Sequence, residues 1–221
     1  MIELHEFAWS PFCLVQRRIL EWAGIRPRRV RADLNDRREI WRLTRGRYYQ
    51  VPVLRDGRQA VFETAPDSQV IAKYLDQKFE LGLFPREWAG VQTLLWRHFE
   101  GEVEDVCFRL NDAHWREFVP RRDHCGFVRH KERRFGRGCL DEWAAQIPAL
   151  EARLEPRLLP AEQMLATRDF LLTPDRPLFV DFCLWGMLAC LLYTGHHALP
   201  VRHTRLADWH ARMAKLRRPA A

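Results

Sequence analysis

The hydrophobic periodicity of the chain changes once, and that change limits its fold more than any motif does. Through the first eighty residues, strand and helix patterns alternate. Residues 2–7 (IELHEF) alternate apolar and polar side chains as a strand does. Phe12, Val15, Ile19, Trp22 and Ala23 fall on one helical stripe, which Gly24 closes. Residues 28–32 read as a short strand and residues 36–43 as a short helix. Residues 51–63 read as two strands joined at Asp56-Gly57, a strong hairpin signal. Val70, Ile71, Tyr74, Leu75 and Phe79 mark a further amphipathic helix, giving the order β-α-β-α-β-β-α. Beyond residues 79–87 no strand pattern recurs. Val91, Leu94, Leu95, Phe99, Val103, Val106 and Leu110 form one stripe, and residues 141–156, 178–194 and 205–217 supply further helices. The expectation is an α/β unit over residues 1–80 followed by an all-α unit over 88–221.

Charge and cysteine usage narrow the function. The formal charge of +7 invites a nucleic-acid reading. Arginine, however, is spread along the whole chain and interleaved with acids such as Asp33, Asp36 and Glu39, where a nucleic-acid module would cluster its charge behind a motif. The densest patch, RHKERRFGRG at 129–138, reads as a solvated face that still suits a cleft for small anions. No nucleic-acid partner is expected. Six widely spaced cysteines form neither a C-x-x-C pair nor a zinc set, which fits reduced thiols in a cytoplasmic protein. Nine histidines show no metal-ligand spacing, and the adjacent His196 and His197 are expected to point apart, so no metal is expected. The apolar run 178–193 is broken by Asp181 and is shorter than the roughly 20 residues of a bilayer span, so it reads as a buried helix and no membrane partner is expected.

Four stretches carry the chemistry. Ser10-Pro11-Phe12-Cys13 opens the first helix, and three readings fit it: a redox site lacking its first thiol, a serine site with an incidental thiol, or a helix start. Val51-Pro52 opens the third strand, and X-Pro is the common site for a cis bond. PDSQVIAKYLD (66–76) puts Asp67 and Ser68 where a helix N-terminus offers N–H groups to an anion. FLLTPDRPLFVDFCLWG (170–186) lies deep in the helical half.

In this order and spacing the four stretches resemble the glutathione S-transferase superfamily, over nearly the whole chain. The resemblance implies a thioredoxin-like N-terminal domain followed by a helical C-terminal domain, and a homodimer is expected. It implies glutathione as co-substrate, with its thiol activated for attack on a small electrophile. The cysteinyl part of glutathione would pair with the backbone of Val51 ahead of a cis Pro52. The γ-glutamyl carboxylate would meet Ser68, and Asp67 would face the ammonium. Ser10 would donate to the thiolate, with Cys13 secondary and turned from the ligand. Arg42, Arg45 and Arg47 are candidates for the glycyl carboxylate, and Glu63-Thr64 for a further polar contact. Trp96, Phe99, Val103 and Phe108 could wall the second-substrate pocket. Leu178 stands where the family carries the hydroxyl of a capping box with Asp181, so that box is expected to be broken. Two other readings remain open: a glutathione-dependent thiol reductase using Cys13, and a non-catalytic binding protein of the same fold.

Overall fold

The computed structural model describes residues 1–64 and 67–219. Pro66, which opens one of the four stretches, and Ala220 and Ala221, which end the helical unit, lie outside the described residues. The first half contains β1 (Ile2–Glu6), α1 (Pro11–Trp22), β2 (Arg28–Arg31), α2 (Arg38–Thr44), β3 (Val53–Asp56), β4 (Gln59–Phe62) and α3 (Val70–Phe79). The strands form one sheet in the order β2-β1-β3-β4, with β1 parallel to β2 and antiparallel to β3. The register sets Leu4 opposite Leu54, and Val53 and Leu54 opposite Phe62 and Val61. Those residues are buried, and so are Glu3, His5 and Glu6, so both faces of β1 are covered. Asp56 closes the hairpin against Gln59, and Gly57 takes the positive φ (59°) of the turn. Helices α1 and α3 touch each other, and α2 and α3 touch β4. This is a thioredoxin-like domain.

Among the described residues only helices follow: α4 (Ala89–His98), α5 (Glu104–Asp112), α6 (Trp115–Phe118), α7 (His124–Phe135), α8 (Cys139–Ala145), α9 (Ile147–Met164), α10 (Phe179–Leu191) and α11 (Thr204–Lys215). A π turn at Phe99–Val103 joins α4 and α5 without a break. The stripe read across residues 91–110 is thus one rod whose winding loosens once. Helix α9 runs on through Pro156 and Pro160, eight residues past its expected end at residue 156.

The two halves meet along α1 and α10, the centre of the interface. Gly186 permits it, since a Cβ there would drive into the Val15 side chain and lie 3.0 Å from the Pro11 carbonyl oxygen. Arg18, 1% exposed, donates from Nε to the Met213 carbonyl at 2.6 Å and also bonds the Leu216 carbonyl, tying the C-terminal segment to α1. The capping box is half present. Asp181 Oδ2 accepts the Leu178 N–H at 2.9 Å, while Leu178 offers the Asp181 N–H only its backbone carbonyl, at 3.0 Å. Fully buried Asp181 also accepts from Leu171 N (2.9 Å) and Trp209 Nε1 (3.2 Å). Burial still pushes its carboxyl up to about 6.

Candidate functional site

The first helix fixes Ser10. Its backbone is extended (φ −68°, ψ 125°), Pro11 fills the first helical position, and the Ser10 carbonyl accepts Leu14 N at 2.9 Å. A serine here would ordinarily cap the helix with its hydroxyl. This one makes no such bond, and Ser10 lines a cavity instead. Cys13, one turn further, has no exposed surface. Burial pushes its thiol up to about 12, with Ser10 and the Phe7 backbone pulling weakly the other way.

The Val51–Pro52 peptide is cis, as the family resemblance implies, and Val51 lines the same cavity as Ser10. The cavity, about 110 Å³, lies between the two halves of the molecule. Its N-terminal wall also carries Phe7, Trp9, Phe12, Arg37 and Gln50. Its helical wall is built by Glu104, Phe108 and Asp112 of α5, by Phe127, His130, Lys131, Arg134 and Phe135 of α7, and by Cys190. Aromatic rings stiffen both walls. Phe7 stacks on Trp9 at 5.1 Å, and Trp9 reaches Phe118 across the interface at 5.3 Å.

Charge in this cleft is held away from bulk water. The Arg37 guanidinium sits over the Phe7 ring at 4.8 Å, and its buried Nη1 has no hydrogen-bond partner. Lys131 pairs with Asp112 at 2.5 Å and lies 4.5 Å from the centre of the Phe108 ring. Burial drives His130 down to about 4, with Lys131, Arg37 and Arg134 adding to the effect. Burial pushes Glu104 up to about 8, and Lys131 and Arg134 only partly offset it. The patch read as a solvated face thus turns His130, Lys131 and Arg134 into the cleft.

Asp67 and Ser68 do not sit at the first turn of α3, which begins at Val70. Asp67 Oδ1 accepts Gln69 N at 2.8 Å and Oδ2 pairs with Lys73 at 2.8 Å. Glu63 does the capping, accepting Val70 N at 3.0 Å. Ser68 Oγ donates to Glu100 Oε2 at 2.5 Å and accepts from Trp96 Nε1 at 2.9 Å. Glu100 stands on the π turn, a helix defect frequent at functional sites. The turn aims its carboxyl at the N-terminal domain. Burial pushes Glu100 up to about 7, opposed by Ser68, Trp96 and Cys183, and burial pushes Glu63 up to about 9.

Several expected positions differ. Of the four residues expected to wall the second-substrate pocket, only Phe108 lines the cavity. Trp96 serves Ser68, while Phe99 and Val103 are core. None of Arg42, Arg45 and Arg47 lines it either. Arg47 lies on the Phe62 ring at 5.2 Å. The cation on the N-terminal wall is Arg37, which ends the loop before α2 and had no motif to mark it.

Residues 4–83 match the family model of the glutathione S-transferase N-terminal domain. The match covers the N-terminal unit, and the chain as a whole has the glutathione S-transferase fold. A glutathione transferase GSTFuA3 from Phanerochaete chrysosporium superposes with a TM-score of 0.82 at 20% identity, over 100% of this chain and 98% of that one. A glutathione S-transferase of Ceriporiopsis subvermispora in complex with glutathione gives 0.78 at 18%, over 100% and 99%. Glutaredoxin 2 from Salmonella typhimurium, also in complex with glutathione, gives 0.73 at 21%, over 97% and 94%. A comparison with curated protein sequences gives no significant match. Among the described residues no helix is long and apolar enough to cross a membrane.

Proposed function

We propose that the chain is a cytoplasmic, homodimeric glutathione transferase that binds glutathione with residues 1–80 and takes a small electrophile between that domain and the helical residues 88–221. The observation that carries this reading is the Ser10 hydroxyl. It makes no capping bond to the backbone of the helix it precedes, and Ser10 shares a cavity with the residue before the cis proline. Extended along this edge, glutathione would pair its cysteinyl backbone with Val51 beside Pro52 and direct its thiol at Ser10. A hydroxyl donating there stabilises the thiolate and raises its population at neutral pH.

Ser68 would take the γ-glutamyl carboxylate, and Asp67 with Glu100 the ammonium. Arg37, a cation already without a partner at Nη1, would take the glycyl carboxylate. The aromatic and cationic helical wall suits an apolar electrophile. A reductase acting through Cys13 fits less well, because a fully buried thiol held near 12 supplies almost no thiolate.

Calorimetric titration with glutathione, together with turnover on a panel of halide, epoxide, ether and peroxide substrates, tests the reading. Saturable binding lost on Ser68→Ala, with turnover on at least one electrophile, supports it. No heat at millimolar glutathione overturns it in favour of a non-catalytic member of the fold.

A further inference from the structure

Away from the cleft, two histidines and a glutamate converge where the α5–α6 turn meets the turn after α10. His114 and Glu117 are three residues apart, one helical turn, and so share a face. His196 comes from 79 residues further along the chain. Its Nε2 lies 2.8 Å from Glu117 Oε2 and 2.9 Å from Oε1, and His114 Nδ1 lies 3.7 Å from Oε1. The two imidazoles stack at 4.0 Å, and one donor atom from each of the three residues falls within 4.8 Å of the others.

We propose that His114, Glu117 and His196 form a binding site for a divalent transition cation of the zinc type. Two imidazole nitrogens with one carboxylate select borderline metals over calcium or magnesium, which require oxygen ligands. Bond lengths of 2.0–2.1 Å in a tetrahedral site would set donors about 3.3 Å apart. The present separations bracket that value, and the rings need only open out of their stack. His196 can do this, because its side chain is 44% exposed.

The neighbouring His197 keeps the site assembled without joining it. Its Nδ1 meets Glu151 at 3.0 Å and its Nε2 meets the Leu110 carbonyl at 3.1 Å, which pins the turn that carries His196. Water would complete the coordination, since the Glu117 side chain is 54% exposed. A bound ion would fasten the end of α10 to the α5–α6 turn.

The test uses tag-free, chelator-stripped full chain titrated with Zn²⁺ against a chromophoric chelator, with thermal unfolding read in parallel. One equivalent bound and a Tm raised by Zn²⁺ are expected for the native chain. His196→Ala and Glu117→Gln, both at exposed positions and checked for native circular dichroism, should each lose the Tm shift. Each should also weaken Zn²⁺ binding by more than the roughly 10–100-fold typical of losing an outer-shell partner. No stoichiometric binding by the native chain overturns the proposal, as does Zn²⁺ binding that survives His196→Ala unchanged.

Discussion

Iodoacetamide offered to the folded protein should leave Cys13 intact while it modifies Cys125. Cys13 has no exposed surface and its thiol stands at about 12, whereas Cys125 is exposed. At pH 7.4 a thiol with that pKa is ionised in about 1 molecule in 40,000, against about 1 in 14 for an ordinary cysteine near 8.5. Ionisation alone therefore slows Cys13 about 3,000-fold, and lack of access slows it further. The assay is a timed pulse of reagent, quenching, digestion and mass spectrometry of each cysteine peptide. Cys125 should be modified within minutes and Cys13 should remain free for hours. Denaturant should then make all six cysteines reactive. A Cys13 rate within tenfold of the Cys125 rate in the folded protein would refute the argument and restore the thiol reductase as a contender.

Gly186→Ala should destabilise the protein by about 2 kcal/mol or more in a denaturant titration, because a methyl group has no room between α1 and α10. An unchanged midpoint would mean that the helices separate freely. Asp181→Ala should cost about 3 kcal/mol or more, since it orphans the buried Leu171 and Leu178 N–H groups and the Trp209 indole. Stability should also fall with rising pH. Glu100, Glu104 and Glu63 are raised to about 7, 8 and 9, so above about pH 4.3 the folded chain binds more protons than the unfolded one, and each group weakens the fold as pH rises through its window. His130 and His210, lowered to about 4, act in the opposite direction but only below their ordinary value near 6.5. Tm should therefore decline from about pH 6.5 to 9, and the difference between Glu100→Gln and the native chain should accumulate up to about pH 8 and then stay constant. Parallel curves over the whole range would show that Glu100 is not buried as described.

What could be read from the sequence was local chemistry. The hairpin needed only Asp56-Gly57 and the α4–α5 stripe only its spacing, so these were legible, while the cis bond was legible through the family resemblance. The helical wall of the cleft was not. His130, Lys131 and Arg134 look like solvent-facing charge in a basic run, and only the packing of Lys131 over Phe108, beside Asp112, turns them inward. Glu100 was hidden because a regular 3.6-residue winding cannot foresee a π turn, although it did assign its neighbours Phe99 and Val103 to the apolar stripe. Ser68 was placed at the start of the third helix. The helix instead starts two residues later, where Glu63 supplies the cap and leaves the Ser68 hydroxyl to Glu100. The helix expected to end at residue 156 continues to Met164, through Pro156 and Pro160.

The central claim is that Ser10, and not Cys13, activates the thiol of bound glutathione, and the pKa of that thiol measures it most directly. Thiolate absorbance near 240 nm is followed against pH with glutathione saturating the native chain, Ser10→Ala and Cys13→Ser. The account predicts a bound thiol below its free value in the native chain and in Cys13→Ser, and a value raised by about one unit or more in Ser10→Ala, as loss of a hydrogen bond to a charged group worth roughly 1.5–3 kcal/mol implies. An unchanged titration in Ser10→Ala, or a lowered pKa that vanishes in Cys13→Ser, would contradict it.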